Sequence, residues 1–172
     1  MLPKLTLVLG GVSSGKSDFS ENLILSSNLT PCYIATAEAL DTEMQAKIAR
    51  HRTERGAKWH TIETPLEAPA ALDTLPAGVA VLLDCATMWL SNQMMADRDI
   101  EVETARLLAA LGAAKSPVVV VSNEVGLGGI AGDPTARKFA AAQGRLNRDL
   151  AAISDHVILV AAGLPLYLKG AP

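Results

Sequence analysis

The stretch Gly10-Gly11-Val12-Ser13-Ser14-Gly15-Lys16-Ser17 satisfies the spacing G-x-x-x-x-G-K-[ST] at every position. Each residue type in it suits a chain of phosphates. The glycines let main-chain N–H groups curl around an anion, and a helix beginning at the end of the loop adds a favourable field. Lys16 is long enough to reach β- and γ-phosphates, and the Ser17 hydroxyl can enter the shell of a Mg²⁺ ion. A glycine-rich turn could match by coincidence. The flanks argue otherwise, since Leu5–Leu9 reads as a strand and Lys16–Leu25 as a helix, the setting this chemistry needs. The chain is expected to bind a nucleoside triphosphate; the loop alone does not say which reaction follows.

Such a site usually has a second acid on a neighbouring strand. The run Val79-Ala80-Val81-Leu82-Leu83 ends in Asp84, which places a carboxylate at the carboxyl end of a buried strand, where open α/β sheets bind ligands. Two roles stand open for it: holding Mg²⁺ together with Ser17, or capping a helix that starts near Thr87.

A third feature is His51, set among Lys47, Arg50, Arg52, Arg55 and Lys58 in the segment Asp41–Lys58. On a helix it shares a face with Met44 and Ile48. One reading is a half-buried histidine on a solvated basic helix. The other is a nucleophile: a neutral imidazole can attack phosphorus and form a phosphoramidate, splitting one transfer into two easier steps. Neighbouring arginines would stabilise the developing negative charge and disfavour protonation of the ring. Spacing does not choose between the two.

These groups must be placed by something, and the rest of the chain supplies it. Strand-like runs at Lys4–Leu9, Cys32–Ala35, Val79–Leu83, Val118–Val121 and His156–Ala161 alternate with helix-like segments. Three of them are apolar without alternation, as parallel strands covered on both faces are. Trp59–Glu63 alternates and suits a sheet edge. Asp41 can cap a helix to about Glu54. Thr64-Pro65-Leu66-Glu67 carries a capping box with proline at the first helical position, although Pro69 should shorten that helix or shift its start. Asp133-Pro134 opens a further helix with Phe139, Leu146, Leu150 and Ile153 as its apolar stripe. The pattern predicts one α/β domain over residues 1–172, built on a mostly parallel sheet flanked by helices.

Bulk properties narrow the class. Half of the 172 residues are apolar but only two each are Trp, Tyr and Phe, so the core must be aliphatic. A net charge of −3 supplies no broad positive field for nucleic acid. Cys32 and Cys85 lack metal-site or CxxC spacing and read as small buried thiols of a reducing compartment. No apolar stretch approaches the roughly 18–20 residues that cross a bilayer, and Leu5–Leu9 is too short for a signal-peptide core. A cytoplasmic protein is expected.

The ordered motifs resemble one known family. They are the loop with its leading double glycine, Tyr33-Ile34-Ala35-Thr36-Ala37, Asp41-Thr42-Glu43-Met44 with Ile48 and His51, and Trp59 with Glu63. Leu82-Leu83-Asp84-Cys85, Ser122-Asn123-Glu124-Val125-Gly126-Leu127-Gly128, Ala136-Arg137, Phe139, Gly144-Arg145 and Asn147 complete the set. Together they are similar to the bifunctional adenosylcobinamide kinase and adenosylcobinamide-phosphate guanylyltransferase family of cobalamin biosynthesis, from about Leu5 to Lys169.

That resemblance implies a RecA-like P-loop fold assembled as a homotrimer, with Mg²⁺ and with ATP or GTP as substrates. It implies phosphorylation of adenosylcobinamide, then transfer of GMP from GTP through a guanylylated histidine to the adenosylcobinamide phosphate, releasing pyrophosphate. His51 matches that histidine. Gly10, Gly11, Val12, Ser13, Ser14, Gly15, Lys16 and Ser17 match the nucleotide-binding loop, with Lys16 at the transferred phosphate. Ala35, Thr36 and Ala37 match a second nucleotide segment, and Arg52, Thr53, Glu54, Arg55, Glu63 and Asp84 match further contacts. Glu63 suits guanine N–H groups, Mg²⁺, or a plain surface acid before a helix. Asn123–Gly126 follows a buried strand and, with Gly128 and Gly129, is either a loop that closes over the corrinoid or a simple connection. Arg137, Arg145 and Arg148 are expected in solvent, with phosphate contact open to the first two. Ser13 stands where the family often has Arg, and Arg50 where some relatives have a second histidine.

Two rival classes share the loop. One is a P-loop kinase for another small metabolite, with His51 structural. The other is a nucleotide-switched interaction protein, with the basic segment as a partner surface. Neither would take up a nucleotide on a histidine.

Overall fold

Runs of Val, Leu and Ile, branched or bulky enough to fill a pleated surface from both sides, become the central strands. The structure, a computed structural model, describes residues 2–38, 53, 58–129 and 132–171. In chain order these form β1 (Leu5–Gly10), α1 (Lys16–Leu25), β2 (Thr30–Ala35), β3 (His60–Glu63), α2 (Ala68–Thr74) and β4 (Val79–Asp84). There follow α3 (Ala86–Met95), α4 (Ile100–Ala113), β5 (Val118–Asn123), a 3₁₀ turn at Gly126–Gly128, α5 (Pro134–Ile153), β6 (His156–Ala161) and β7 (Leu164–Lys169). The strands form one sheet in the order β3-β2-β4-β5-β1-β6-β7. All neighbours are parallel except β7, which returns antiparallel to β6.

Successive side chains of a strand point to opposite faces, so β1 feeds two cores. Leu5, Leu7 and Leu9 pack with Trp89, Leu107, Leu146 and Leu150, on the face covered by α2 to α5. Val8 packs with Val119, Val121, Ile158 and Ile24 of α1 on the other. Burying each such aliphatic side chain is worth about 1.5–3 kcal/mol relative to exposure. Among the described residues no helix is long and apolar enough to cross a membrane.

The expected strands and the edge position of β3 agree with this sheet, and α1 has the expected bounds. Three details differ. β7 was not anticipated: Pro165 interrupts its alternation, and proline is compatible with a strand only where an N–H is not needed, as at this edge. The helix expected from Pro65 starts instead at Ala68, with Pro69 in its first turn and Thr64 Oγ1 accepting from the Glu67 N–H at 3.2 Å. Ile153, placed in the α5 stripe, is 42% exposed, while Leu146 and Leu150 are buried. It is the last residue of α5, where the helix leaves the sheet. The helix expected over Asp41–Glu54 lies outside the described residues apart from Thr53, which is helical and exposed.

Parallel strands bring their carboxyl ends to one edge. Register sets Gly10 opposite Asn123, Ala35 opposite both Asp84 and Glu63, and Asp84 opposite Val121. The loop after β1, the acid ending β4 and the segment after β5 therefore share one rim.

Candidate active site

The loop after β1 is held chiefly by main chain. Ser13 and Gly15 have positive φ, 55° and 89°, which turns successive N–H groups to one side, the geometry of an anion-binding nest. The Ser14 N–H donates to Gly11 O at 3.3 Å, and Ser14 O accepts from the Gly163 N–H at 2.8 Å. The turn Ala162–Gly163, between β6 and β7, thus props the loop from beneath. Two glycines are obligatory here. A Cβ at Gly10 would collide with Ser14 Oγ and stand 2.7 Å from Val160 O, and one at Gly15 would stand 3.2 Å from Gly163 Cα. Lys16 Nζ donates to Gly11 O at 2.9 Å, which keeps the ammonium over the loop. Val12 is 85% exposed at the tip. Ser17 lies half-buried in the first turn of α1.

Across the rim, Tyr33 donates its hydroxyl to Asp84 Oδ2 at 2.8 Å and meets Trp59 edge to face, with ring centroids 5.9 Å apart. Asp84 therefore does not cap α3. That role falls to Cys85, whose Sγ accepts from the Met88 N–H at 3.4 Å. Burial, reinforced by the Asp84 carboxylate, pushes the Cys85 thiol up to about 12, and Lys16 opposes the shift. The Asp84–Cys85 peptide is cis.

The Ser17 hydroxyl and the Asp84 carboxylate are hard-oxygen donors of the kind that suits Mg²⁺. Among the described residues there is no cluster of three His, Cys, Asp or Glu for a protein-only metal cage, and Mg²⁺ commonly takes one or two protein oxygens with phosphates and water.

Thr36 is buried and fully engaged. Its hydroxyl donates to Cys85 O and accepts from the Cys85 N–H, both at 2.8 Å, and its carbonyl accepts from Asn92 Nδ2 at 2.7 Å. Its side chain ties β2 to the start of α3, leaving Ala35 and Ala37 as the partly exposed members of that segment. Glu63 is exposed at the end of the edge strand β3, in register with Ala35.

The segment after β5 is held by buried side chains. Ser122 Oγ donates to Asn147 Oδ1 at 2.6 Å, and Gln143 Nε2 donates to the same Oδ1 at 2.9 Å. Asn147 Nδ2 donates to Asn123 O and to Glu124 Oε1, both at 3.1 Å. Thr87 Oγ1 accepts from the Asn123 N–H at 2.8 Å, and the Glu124 N–H donates to Gly10 O at 3.1 Å. Thr87, Gln143 and Gly163 were not anticipated as supports. For Gly163 the signal existed, an Ala-Gly pair between two apolar runs, as in a tight hairpin.

Of the expected site residues, the structure gathers Gly10 to Ser17, Ala35 to Ala37, Glu63 and Asp84 at one rim. His51, Arg52, Glu54 and Arg55 lie outside the described residues. Arg137, Arg145 and Arg148 are exposed on α5, and Arg137 donates to Gly132 O at 2.6 Å.

Comparison with known proteins agrees with this arrangement. The family model described as cobinamide kinase / cobinamide phosphate guanyltransferase matches residues 6–168. The bifunctional adenosylcobalamin biosynthesis protein CobP of Pseudomonas aeruginosa is 41% identical over 169 residues, covering 96% of this chain and 98% of the relative. The bifunctional protein CobU of Salmonella typhimurium is 36% identical over 182 residues, with 96% and 99% covered. Among solved structures, the RadB recombinase superposes with a TM-score of 0.53 at 16% identity, over 92% of this chain and 74% of that one. The flagellar accessory protein FlaH of Methanocaldococcus jannaschii gives 0.53 at 14% identity, over 99% and 80%. These structures establish the fold alone: a RecA-like P-loop α/β sheet.

Proposed function

The chain belongs to the cobinamide kinase / cobinamide phosphate guanyltransferase family of adenosylcobalamin biosynthesis, and from that membership we propose how its two transfers divide among its residues. Gly10–Ser17 hold the triphosphate of ATP or GTP, and Lys16 neutralises the phosphoryl group in flight. Ser17 and Asp84 would hold Mg²⁺, which spreads the charge gathering on the phosphate oxygens. In the kinase step the side-chain hydroxyl of adenosylcobinamide takes the γ-phosphoryl group.

In the second step the His51 imidazole attacks the α-phosphorus of GTP. An N–P bond forms, the bond to the β-phosphate oxygen breaks, and pyrophosphate leaves. The phosphate of the first product then attacks the histidine-bound GMP; the N–P bond breaks, the imidazole is restored and adenosylcobinamide-GDP is formed. Arg52 and Arg55 supply positive charge to this exchange. Thr53, Glu54, Glu63 and Ala35–Ala37 complete the nucleotide contacts, and the chain works as a homotrimer.

The observation that carries this reading is the placing of the phosphate loop and Asp84 at the carboxyl ends of β1 and β4 on one rim, in a chain whose motif order matches the family. The test is product analysis with adenosylcobinamide, MgGTP and MgATP. Wild type is expected to give adenosylcobinamide phosphate and then adenosylcobinamide-GDP, and His51→Ala to stop at the phosphate. Adenosylcobinamide-GDP formed by His51→Ala at the wild-type rate contradicts the proposed division.

A further inference from the structure

Phosphorylation of an alcohol needs a group to take the hydroxyl proton, and none of the residues assigned so far does so. β5 is the strand between β1, which delivers the phosphate loop, and β4, which delivers Asp84. The first residue beyond its carboxyl end is Glu124, whose own N–H is bonded to Gly10 O. Glu124 therefore follows the strand that lies between those carrying the phosphate loop and Asp84.

Its orientation is over-determined. Asn147 is 5% exposed, and its Oδ1 is occupied by Ser122 and Gln143 donors, so the amide is turned with Nδ2 toward Asn123 O and Glu124 Oε1. Only one carboxylate oxygen of Glu124 is used by that bond. A buried amide thus holds one oxygen of a carboxylate that follows β5 at the rim, and leaves the other to meet an O–H donor.

We propose that Glu124 accepts the proton of the hydroxyl that attacks the γ-phosphate, and that Asn147 is its positioning residue. The inference rests on the kinase half of the reading above. As the O–Pγ bond forms and the bond to the β-phosphate oxygen breaks, the proton passes to the free Glu124 oxygen and then to water, leaving a nucleoside diphosphate. The GMP transfer uses no alcohol and does not need this base.

The test compares wild type with Glu124→Gln, Glu124→Asp and Asn147→Ala in two assays. One is phosphorylation of adenosylcobinamide by MgATP across the acid-to-neutral range; the other is guanylylation of the chain by MgGTP. Glu124→Gln should lose roughly 10²–10⁴-fold in kinase kcat and the acid limb of its pH profile, with guanylylation retained. Glu124→Asp should fall between, keeping the limb. Asn147→Ala should lose about 10–100-fold in kcat by misplacing the carboxylate. A Glu124→Gln kinase with more than about a tenth of wild-type kcat, or an equal loss of both activities, overturns the inference. If Glu124→Gln does not fold, Glu124→Asp with unchanged kcat overturns it equally. A wild-type chain that phosphorylates no adenosylcobinamide overturns the kinase reading itself, a different outcome from an active wild type with an active Glu124→Gln.

Discussion

Gly10–Ser17 and Asn123–Gly126 leave adjacent strands at the same rim, yet they keep their shapes by different means. The first is fixed by main chain: positive φ at Ser13 and Gly15, and the Gly163 N–H beneath Ser14 O. The second is fixed by side chains arriving from elsewhere: Thr87 at the start of α3, Gln143 and Asn147 on α5. A loop that binds by its own N–H groups needs small residues at fixed offsets. A segment that presents a carboxylate needs a rigid polar wall behind it. The first kind of construction writes itself into eight consecutive letters, and the second is scattered along the chain.

On that contrast, damage to the first region removes nucleotide binding and chemistry, while damage to the buried supports of the second costs order first. Among variants of the loop and of these supports the largest effect is expected for Lys16→Ala, a loss of about 10²–10³-fold in kcat/KM for the kinase step with little change in thermal stability. Steady-state kinetics beside a melting curve check it. Gly10→Ala drives a methyl group into Ser14 Oγ and Val160 O. It should cost about 1–3 kcal/mol of stability and weaken nucleotide binding together, read by denaturant unfolding and titration calorimetry. Ser122→Ala removes a buried donor to Asn147 Oδ1 and should cost ~1–2 kcal/mol of stability while nucleotide affinity stays within about twofold. An affinity loss matching that of Gly10→Ala would erase the contrast.

The smallest effect concerns the sulfur of Cys85, just past the end of β4. Cys85 has its thiol raised from 9.0 to about 12 in the folded chain, so folding favours the protonated form. Its contribution to stability is complete below pH 9.0 and is lost as pH rises from there toward about 12. Iodoacetamide near the lower end of that window should modify Cys85 in urea-unfolded chain and leave it intact in native chain, by mass spectrometry of the tryptic digest. Equal modification in both contradicts the burial argument.

The same contrast explains what could be read from the letters alone. The phosphate loop, β1 and α1 were legible because motif and apolar run are contiguous. Asp84 was legible because a five-residue apolar run ends on it. What escaped depends on distance through space. Nothing in Asn147 or Gln143 announces that both face Ser122 across the rim, and Tyr33 gives no sign that its hydroxyl reaches Asp84. β7 escaped because Pro165 and the outward leucines 164, 166 and 168 look like a loop until the edge of the sheet is known. The Pro65 helix start failed because Thr64 Oγ1 stabilises the turn at Glu67 rather than a helix beginning at once.

The central claim is that His51 takes the GMP unit of a GTP held by the phosphate loop. It is tested most directly by incubating the chain with MgGTP carrying label in the α-phosphate, then locating the label by peptide mass spectrometry. The account predicts one acid-labile, alkali-stable GMP adduct, on His51, absent from His51→Ala and from Lys16→Ala. No adduct on wild type, or an adduct on another residue that survives His51→Ala, contradicts it.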